Sequence, residues 1–311
     1  MATTKKQKEE PEMASENGMA EAIASSILLR PKSLLISDLK WRTLVHAALR
    51  GMNLLLTGAT GTGKTVAVRT VAKALGRPFF YFNIGDTIDP RQLLIGTTHF
   101  VEGEGTVVTP SEFIQAIRTE GAIILLDELT RGSGDAWNIL MSITDPEQRY
   151  LRINESPESP KIFLAEDVCF FATANIGMEY TATRQLDEAL LSRFDPIEME
   201  YLEQSQQATL LKYKFPELDD AVVNILAEVY AKIKDEYMSG SGRLSRAVST
   251  RTLGRCAMRI QDGFSVKDAL EVSVTPLFSS EGGVDSERTF IMQMIQKYDN
   301  GGKLKGDNMF E

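Results

Sequence analysis

The sequence predicts an α/β fold: a five-stranded parallel sheet with helices on both faces, followed by a small all-helical domain. Three observations predict it. Five short apolar runs, at 53–57, 79–83, 122–126, 168–173 and 196–201, each suit a strand buried on both faces. Helical stretches, among them 64–75 and 110–119, separate most of these runs, and such alternation implies parallel strands. After Leu202 the strands stop, and 203–215, 219–237, 249–261 and 266–276 read as helices.

Residues 1 to about 25 mix Lys and Glu with small residues and read as a disordered or weakly helical tail. Ser37 can cap a helix whose apolar positions include Leu39, Leu44, Val45 and Leu49, and Gly51 can end it. The α/β domain is expected to span 26–202 and the helical lid 203–278. Within the lid, Val222, Val223, Ile225, Leu226, Val229, Tyr230 and Ile233 repeat at helical spacing. The stretch Ser239-Gly240-Ser241-Gly242 separates two of its helices. One short amphipathic helix near 288–298 and a polar end make up 279–311. Two hairpins interrupt the α/β pattern. One spans 100–108 around glycines, and the other pairs 149–153 with 161–164 across a segment whose prolines cannot continue a strand.

Bulk properties narrow the function. The 311 residues are 43% hydrophobic, enough for a packed core, and carry a net charge of −9. That acidity argues against broad, charge-driven binding of nucleic acid, which needs a basic surface. Cys169 and Cys256 form no CxxC, so neither a disulfide framework nor a thiolate metal site is expected, and a reducing, cytoplasmic setting fits. Cys169 lies in an apolar run and reads as a core residue. His46 and His99 are isolated, whereas a metal site needs clustered ligands. No apolar run approaches the ~20 residues that span a bilayer, and no apolar segment follows Lys5, Lys6 and Lys8 as a signal peptide would require.

The chemistry starts at Gly58-Ala59-Thr60-Gly61-Thr62-Gly63-Lys64-Thr65, which fits GxxxxGK[ST] between a strand and a helix. This is a P-loop, and with Val66 it is expected to line a nucleoside triphosphate. Gly58, Gly61 and Gly63 let the backbone curl until its N–H groups face phosphates. The helix that follows adds its positive end. Lys64 would reach the β- and γ-phosphates, and Thr65 would place a hydroxyl on Mg²⁺. The apolar strand before Asp127-Glu128 ends in two carboxylates. Asp127 would hold the Mg²⁺ shell, and Glu128 would orient and deprotonate the attacking water. Asn175 ends a further strand and would sit beside the γ-phosphate; the alternative is an ordinary Asn in a turn.

The order of these features, with Leu190-Leu191-Ser192-Arg193-Phe194 and a helical lid, resembles an AAA+ ATPase over about residues 30–276. Within that family, residues 92–128 resemble the branch with an insert in its second helix, and 149–164 match its pre-sensor hairpin. Asp127-Glu128-Leu129-Thr130-Arg131, the strand ending at Asn175 and the run 189–194 are similar to the MoxR, CobS and NorQ/CbbQ group, related to dynein and midasin modules. The resemblance implies that Arg193 is an arginine finger acting on a neighbour's ATP, worth on the order of 10³–10⁵ in rate in other P-loop enzymes. It implies that Arg251, opening a lid helix, senses the γ-phosphate. A finger in trans implies a homo-oligomeric ring, hexameric in the family, closed by head-to-tail contacts. Arg131 and Arg184 are read either as interface arginines or as surface residues.

The function expected is that of an ATP-hydrolysing ring motor that remodels a partner protein or assists metal or cofactor insertion, working with a protein that carries a von Willebrand factor A domain. The alternative is a nucleic-acid motor, such as a helicase loader or restriction-type translocase. The 98–109 insert, with Glu102 and Glu104 and no Lys or Arg, speaks against it, while Arg149, Arg152 and Lys161 keep it open. A third reading has ATP serving only to hold a ring together.

Overall fold

In the computed structural model, which describes residues 16–102, 105–153, 160–175 and 188–298, the chain begins with helix α1 (Glu16–Ser25) and α2 (Asp38–Arg50). Helix α1 lies within the stretch expected to be a disordered or weakly helical tail. Its end is pinned by α2, because Trp41 Nε1 donates to the carbonyl of the buried Ser26 at 2.8 Å. Ser37 caps α2 by accepting from Lys40 N–H, and Gly51 ends it in the left-handed region at φ +64°. One apolar position differs from expectation. Leu39 is exposed and Trp41 is buried in its place, since Trp41 is the one turned toward the sheet.

Next come β1 (Leu54–Thr57), α3 (Lys64–Ala74), β2 (Phe79–Asn83) and α4 (Pro90–Leu94). The hairpin β3 (Gly96–Val101) and β4 (Gly105–Pro110) leads into α5 (Glu112–Ile117), β5 (Ile123–Asp127) and α6 (Gly134–Thr144). A second hairpin, β6 (Tyr150–Arg152) and β7 (Lys161–Phe163), precedes β8 (Cys169–Ala174), α7 (Glu188–Leu191) and β9 (Asp195–Glu198). Helices α8 (Gln204–Lys214), α9 (Asp220–Met238), α10 (Thr250–Gln261), α11 (Val266–Ser273) and α12 (Glu287–Gln296) follow. The ends of the chain, the proline-bearing segment 154–159 and Arg184 lie outside the described residues.

Among the described residues, five strands form one sheet in the order β2-β5-β8-β1-β9, every pair parallel. Both faces of this sheet are covered, which is why its strands read as unbroken apolar runs. Leu54, Leu56, Ile123, Leu125, Cys169 and Phe171 pack with α2 and α3 on one face. Leu55, Ile124, Leu126, Phe170 and Ala172 pack with α4, α5 and α6 on the other. Successive side chains of a strand point to opposite faces, so neighbouring residues enter different cores. Burial pushes the Cys169 thiol up to about 12, as suits an inert core residue. The helices after β9 build a separate core of their own around Leu226, Tyr230, Leu253, Leu270 and Phe278.

Candidate active site

Strands β5, β8 and β1 are neighbours and run the same way, so their carboxyl ends open on one edge of the sheet. In open α/β sheets that edge is where ligands bind. Gly58 follows β1 there, Asp127 and Glu128 end β5, and Asn175 follows β8. The register places Thr57 beside Ala174 and Leu126 beside Ala172.

The loop between β1 and α3 has a geometry that suits an anion. Gly58 has φ +133°, and a Cβ on it would stand 2.2 Å from the Met199 carbonyl oxygen, so backbone on β9's exit leaves room only for glycine. Helix α3 is capped by Gly63, which provides no side-chain acceptor. By contrast α2, α5, α6, α10, α11 and α12 are each capped by a serine hydroxyl that takes one of the first-turn N–H groups. The first turn of α3 therefore keeps its N–H groups and its positive end for a phosphate.

Lys64 opens α3 and is buried. Its Nζ donates to Gly58 O at 2.8 Å, Ala59 O at 2.9 Å and Asn175 Oδ1 at 2.8 Å. Burial lowers its pKa to about 8, against the opposing pull of Asp127 and Glu128. Thr65 Oγ1 lies 3.4 Å from both oxygens of Asp127. Tyr81 OH donates to Asp127 Oδ2 at 3.0 Å, and Thr173 Oγ1 donates to Asp127 Oδ1. Burial, with the Asp127 carboxylate beside it, pushes the Tyr81 phenol up to about 12.

Glu128 leaves the strand in the left-handed region, φ +55°, an uncommon conformation for a residue with a side chain. Its N–H donates to Thr173 Oγ1 at 3.0 Å, and its Oε2 accepts from Arg131 Nη1 at 2.7 Å. Arg131, read as an interface or surface arginine, thus pairs within its own chain. The helical domain reaches the same edge. A Cβ on Gly61 would stand 2.7 Å from Ser249 Cβ, so the N-terminus of α10 rests on the loop. Arg251 lies in the first turn of α10, exposed and without a hydrogen bond or ion pair among the described residues.

Arg193 is not brought to this edge. It precedes β9, and its carbonyl accepts from Asn53 Nδ2 at 3.3 Å just before β1, at the entry end of the sheet. Its guanidinium donates to Met141 O at 3.1 Å, to Ala189 O and to Asp145 Oδ2 at 3.0 Å.

Thr65 and Asp127 offer hard oxygen donors that face each other, a set that suits Mg²⁺. They would hold the cation, whose chemistry when bound is to neutralise charge on the phosphates. Tyr81, Thr173 and the Arg131–Glu128 pair are site features that motif reading did not find. Thr173 lies on β8 only two residues before Asn175, which gives it a signal in the sequence; Tyr81 carries no such signal.

The chain matches the AAA domain of the dynein-related subfamily over residues 53–194. It is 32% identical over 225 residues to BssE of Thauera aromatica, named for an inferred role as a chaperone, a match covering 72% of this chain and 74% of that protein. It is 28% identical over 264 residues to the mitochondrial Lon protease homolog of Rattus norvegicus, covering 78% of this chain but only 26% of that protein. Among solved structures, a mutant RuvB of Thermotoga maritima is similar with a TM-score of 0.50 and 18% identity, over 86% of this chain and 73% of that one. That last likeness is one of fold.

Proposed function

This chain belongs to the AAA family, in its dynein-related subfamily, and on that premise we infer that it is a ring motor of the MoxR/CobS type. The family makes it a nucleotide-binding ATPase. ATP turnover then drives remodelling of a partner protein, or insertion of a metal or cofactor into one. Lys64 and the first turn of α3 hold the phosphates, Thr65 and Asp127 hold Mg²⁺, Glu128 takes the proton from water, and Asn175 positions it.

One observation carries the ring. The groups that would bind ATP stand at the carboxyl ends of the strands, whereas Arg193 stands at their entry ends. If Arg193 acts on a phosphate, that phosphate belongs to another copy. Repeating such a head-to-tail contact closes a ring, hexameric in this reading. Arg251, on the helix resting against the P-loop, would report the γ-phosphate to the lid. The setting is cytoplasmic in this reading; among the described residues no helix is long and apolar enough to cross a membrane.

Two of the basic residues that kept a nucleic-acid motor open are engaged within the chain. Arg149 Nη2 donates to Val168 O at 2.5 Å, and Lys161 Nζ lies 4.3 Å from the centre of the Tyr150 ring. The inferred chaperone role in the name of BssE supports a protein target, with a von Willebrand factor A domain protein as the partner proposed. An affinity capture with Glu128→Gln and ATP tests this. A retained protein is expected; retained nucleic acid without protein would overturn the reading.

A further inference from the structure

Asp127 is held from both sides by hydroxyls of neighbouring strands. Thr173, on β8, donates to Oδ1, and Tyr81, on β2, donates to Oδ2 at 3.0 Å. Thr65 faces the same two oxygens from α3 at 3.4 Å each. The Tyr81 contact follows from register. Tyr81 pairs directly with Leu125, and Asn83 with Asp127, so Asp127 is the diagonal neighbour of Tyr81 on one face of the β2–β5 pair. A diagonal neighbour is within reach of an aromatic side chain but not of a short one. The phenol spans the gap and ends in a donor; a phenylalanine there would span it and end in nothing.

Two fixed donors, one per oxygen, set the plane of the Asp127 carboxylate and leave its remaining lone pairs toward Thr65. Partners of this kind orient a ligating carboxylate, and losing one typically costs 10–100-fold in metal affinity. Thr173 also accepts the Glu128 N–H, so changing it would disturb the candidate base as well. Tyr81 has no such second duty among the contacts around Asp127, and its exposure of 43% makes its ring dispensable to the core.

We propose that Tyr81 is a positioning residue for the cation carboxylate Asp127, and that its hydroxyl sets the affinity of this site for a divalent cation. The inference rests on the assignment of Asp127 as a cation ligand. It is tested on the full chain with ADP, by titrating Mn²⁺ and reading free Mn²⁺ by electron paramagnetic resonance. Tyr81→Phe should bind Mn²⁺ about tenfold more weakly than wild type, with unchanged melting temperature and unchanged affinity for ADP in the presence of a chelator. Those two controls separate a lost donor from a damaged fold. Asp127→Asn is run beside it. If Asp127→Asn loses Mn²⁺ while Tyr81→Phe keeps wild-type affinity, the role of Tyr81 is overturned. If Asp127→Asn itself keeps Mn²⁺, the cation assignment falls first and takes the inference with it.

Discussion

Lys64 Nζ donates to Asn175 Oδ1 across 2.8 Å, which ties the P-loop to the tip of β8. The two residues are separated by 111 positions in the chain and meet because β1 and β8 are parallel neighbours. A phosphate entering here would compete with Asn175 for the same ammonium group.

Asn175→Ala removes one of three acceptors from Lys64 and leaves the loop carbonyls in place. ATP binding should therefore survive within a few-fold, while kcat falls by about 10²-fold, the scale seen when one polar group that stabilises a transition state is lost. Equilibrium binding of a fluorescent ATP analogue and steady-state hydrolysis separate the two. Unchanged kcat would remove Asn175 from the reaction.

The lowered pKa of Lys64 has a sign that can be measured. A base whose folded pKa is about 8, below its unfolded value, binds fewer protons folded than unfolded between these values. Its burial thus costs stability at neutral pH, and the cost fades as pH rises from about 8 toward the unfolded value. Lys64→Met should stabilise the nucleotide-free protein at pH 7 by about 1–3 kcal/mol, with the gain shrinking by pH 10, and should lose ATP binding. Wild type should take up protons on binding ATP at pH 8, because a phosphate raises the pKa of the lysine beside it. Calorimetry in buffers of different ionisation enthalpy reads that uptake. No uptake, together with a pH-independent stability difference, would contradict a buried, partly neutral Lys64.

Glu128→Gln keeps the size and polarity of the side chain and removes its ability to take a proton. Binding should persist and turnover should fall to background. Light scattering with ATP should then show a large assembly held by trapped nucleotide. If the variant hydrolyses ATP at the wild-type rate, another group is the base.

How much of this was legible in the sequence depends on how local each feature is. The P-loop reads directly because its glycines answer to geometry within a few residues, as the fit of Gly58 against Met199 O shows. Leu54, Leu55 and Leu56 read as a doubly buried strand because each must enter one core or the other. Leu39 and Trp41 are both apolar, but only Trp41 shares the i, i+3, i+4, i+7 spacing of the buried Leu44, Val45 and Ala48, so Leu39 falls off the buried face despite being expected on it. Tyr81 was invisible for a different reason. Its partner Asp127 is 46 positions away, and only the pairing of β2 with β5 brings them together. Arg131 read as a surface or interface arginine because nothing in the sequence shows the left-handed turn at Glu128 that folds the two side chains together.

Arg193 needs an experiment that separates chemistry from architecture. Its guanidinium bonds to Met141, Asp145 and Ala189 of its own chain, so Arg193→Ala could lose activity by loosening that corner alone. Mixing subunits resolves this. Arg193→Ala and Glu128→Gln should each be inactive alone, since every shared site lacks either the finger or the base. In a mixed ring, some sites pair an intact Glu128 from one variant with an intact Arg193 from the other, and ATP hydrolysis should reappear. Activity should scale with the product of the two fractions and peak near equal amounts. A site formed within one chain cannot be repaired this way, so a mixture as inactive as its components would place the whole reaction in a single subunit.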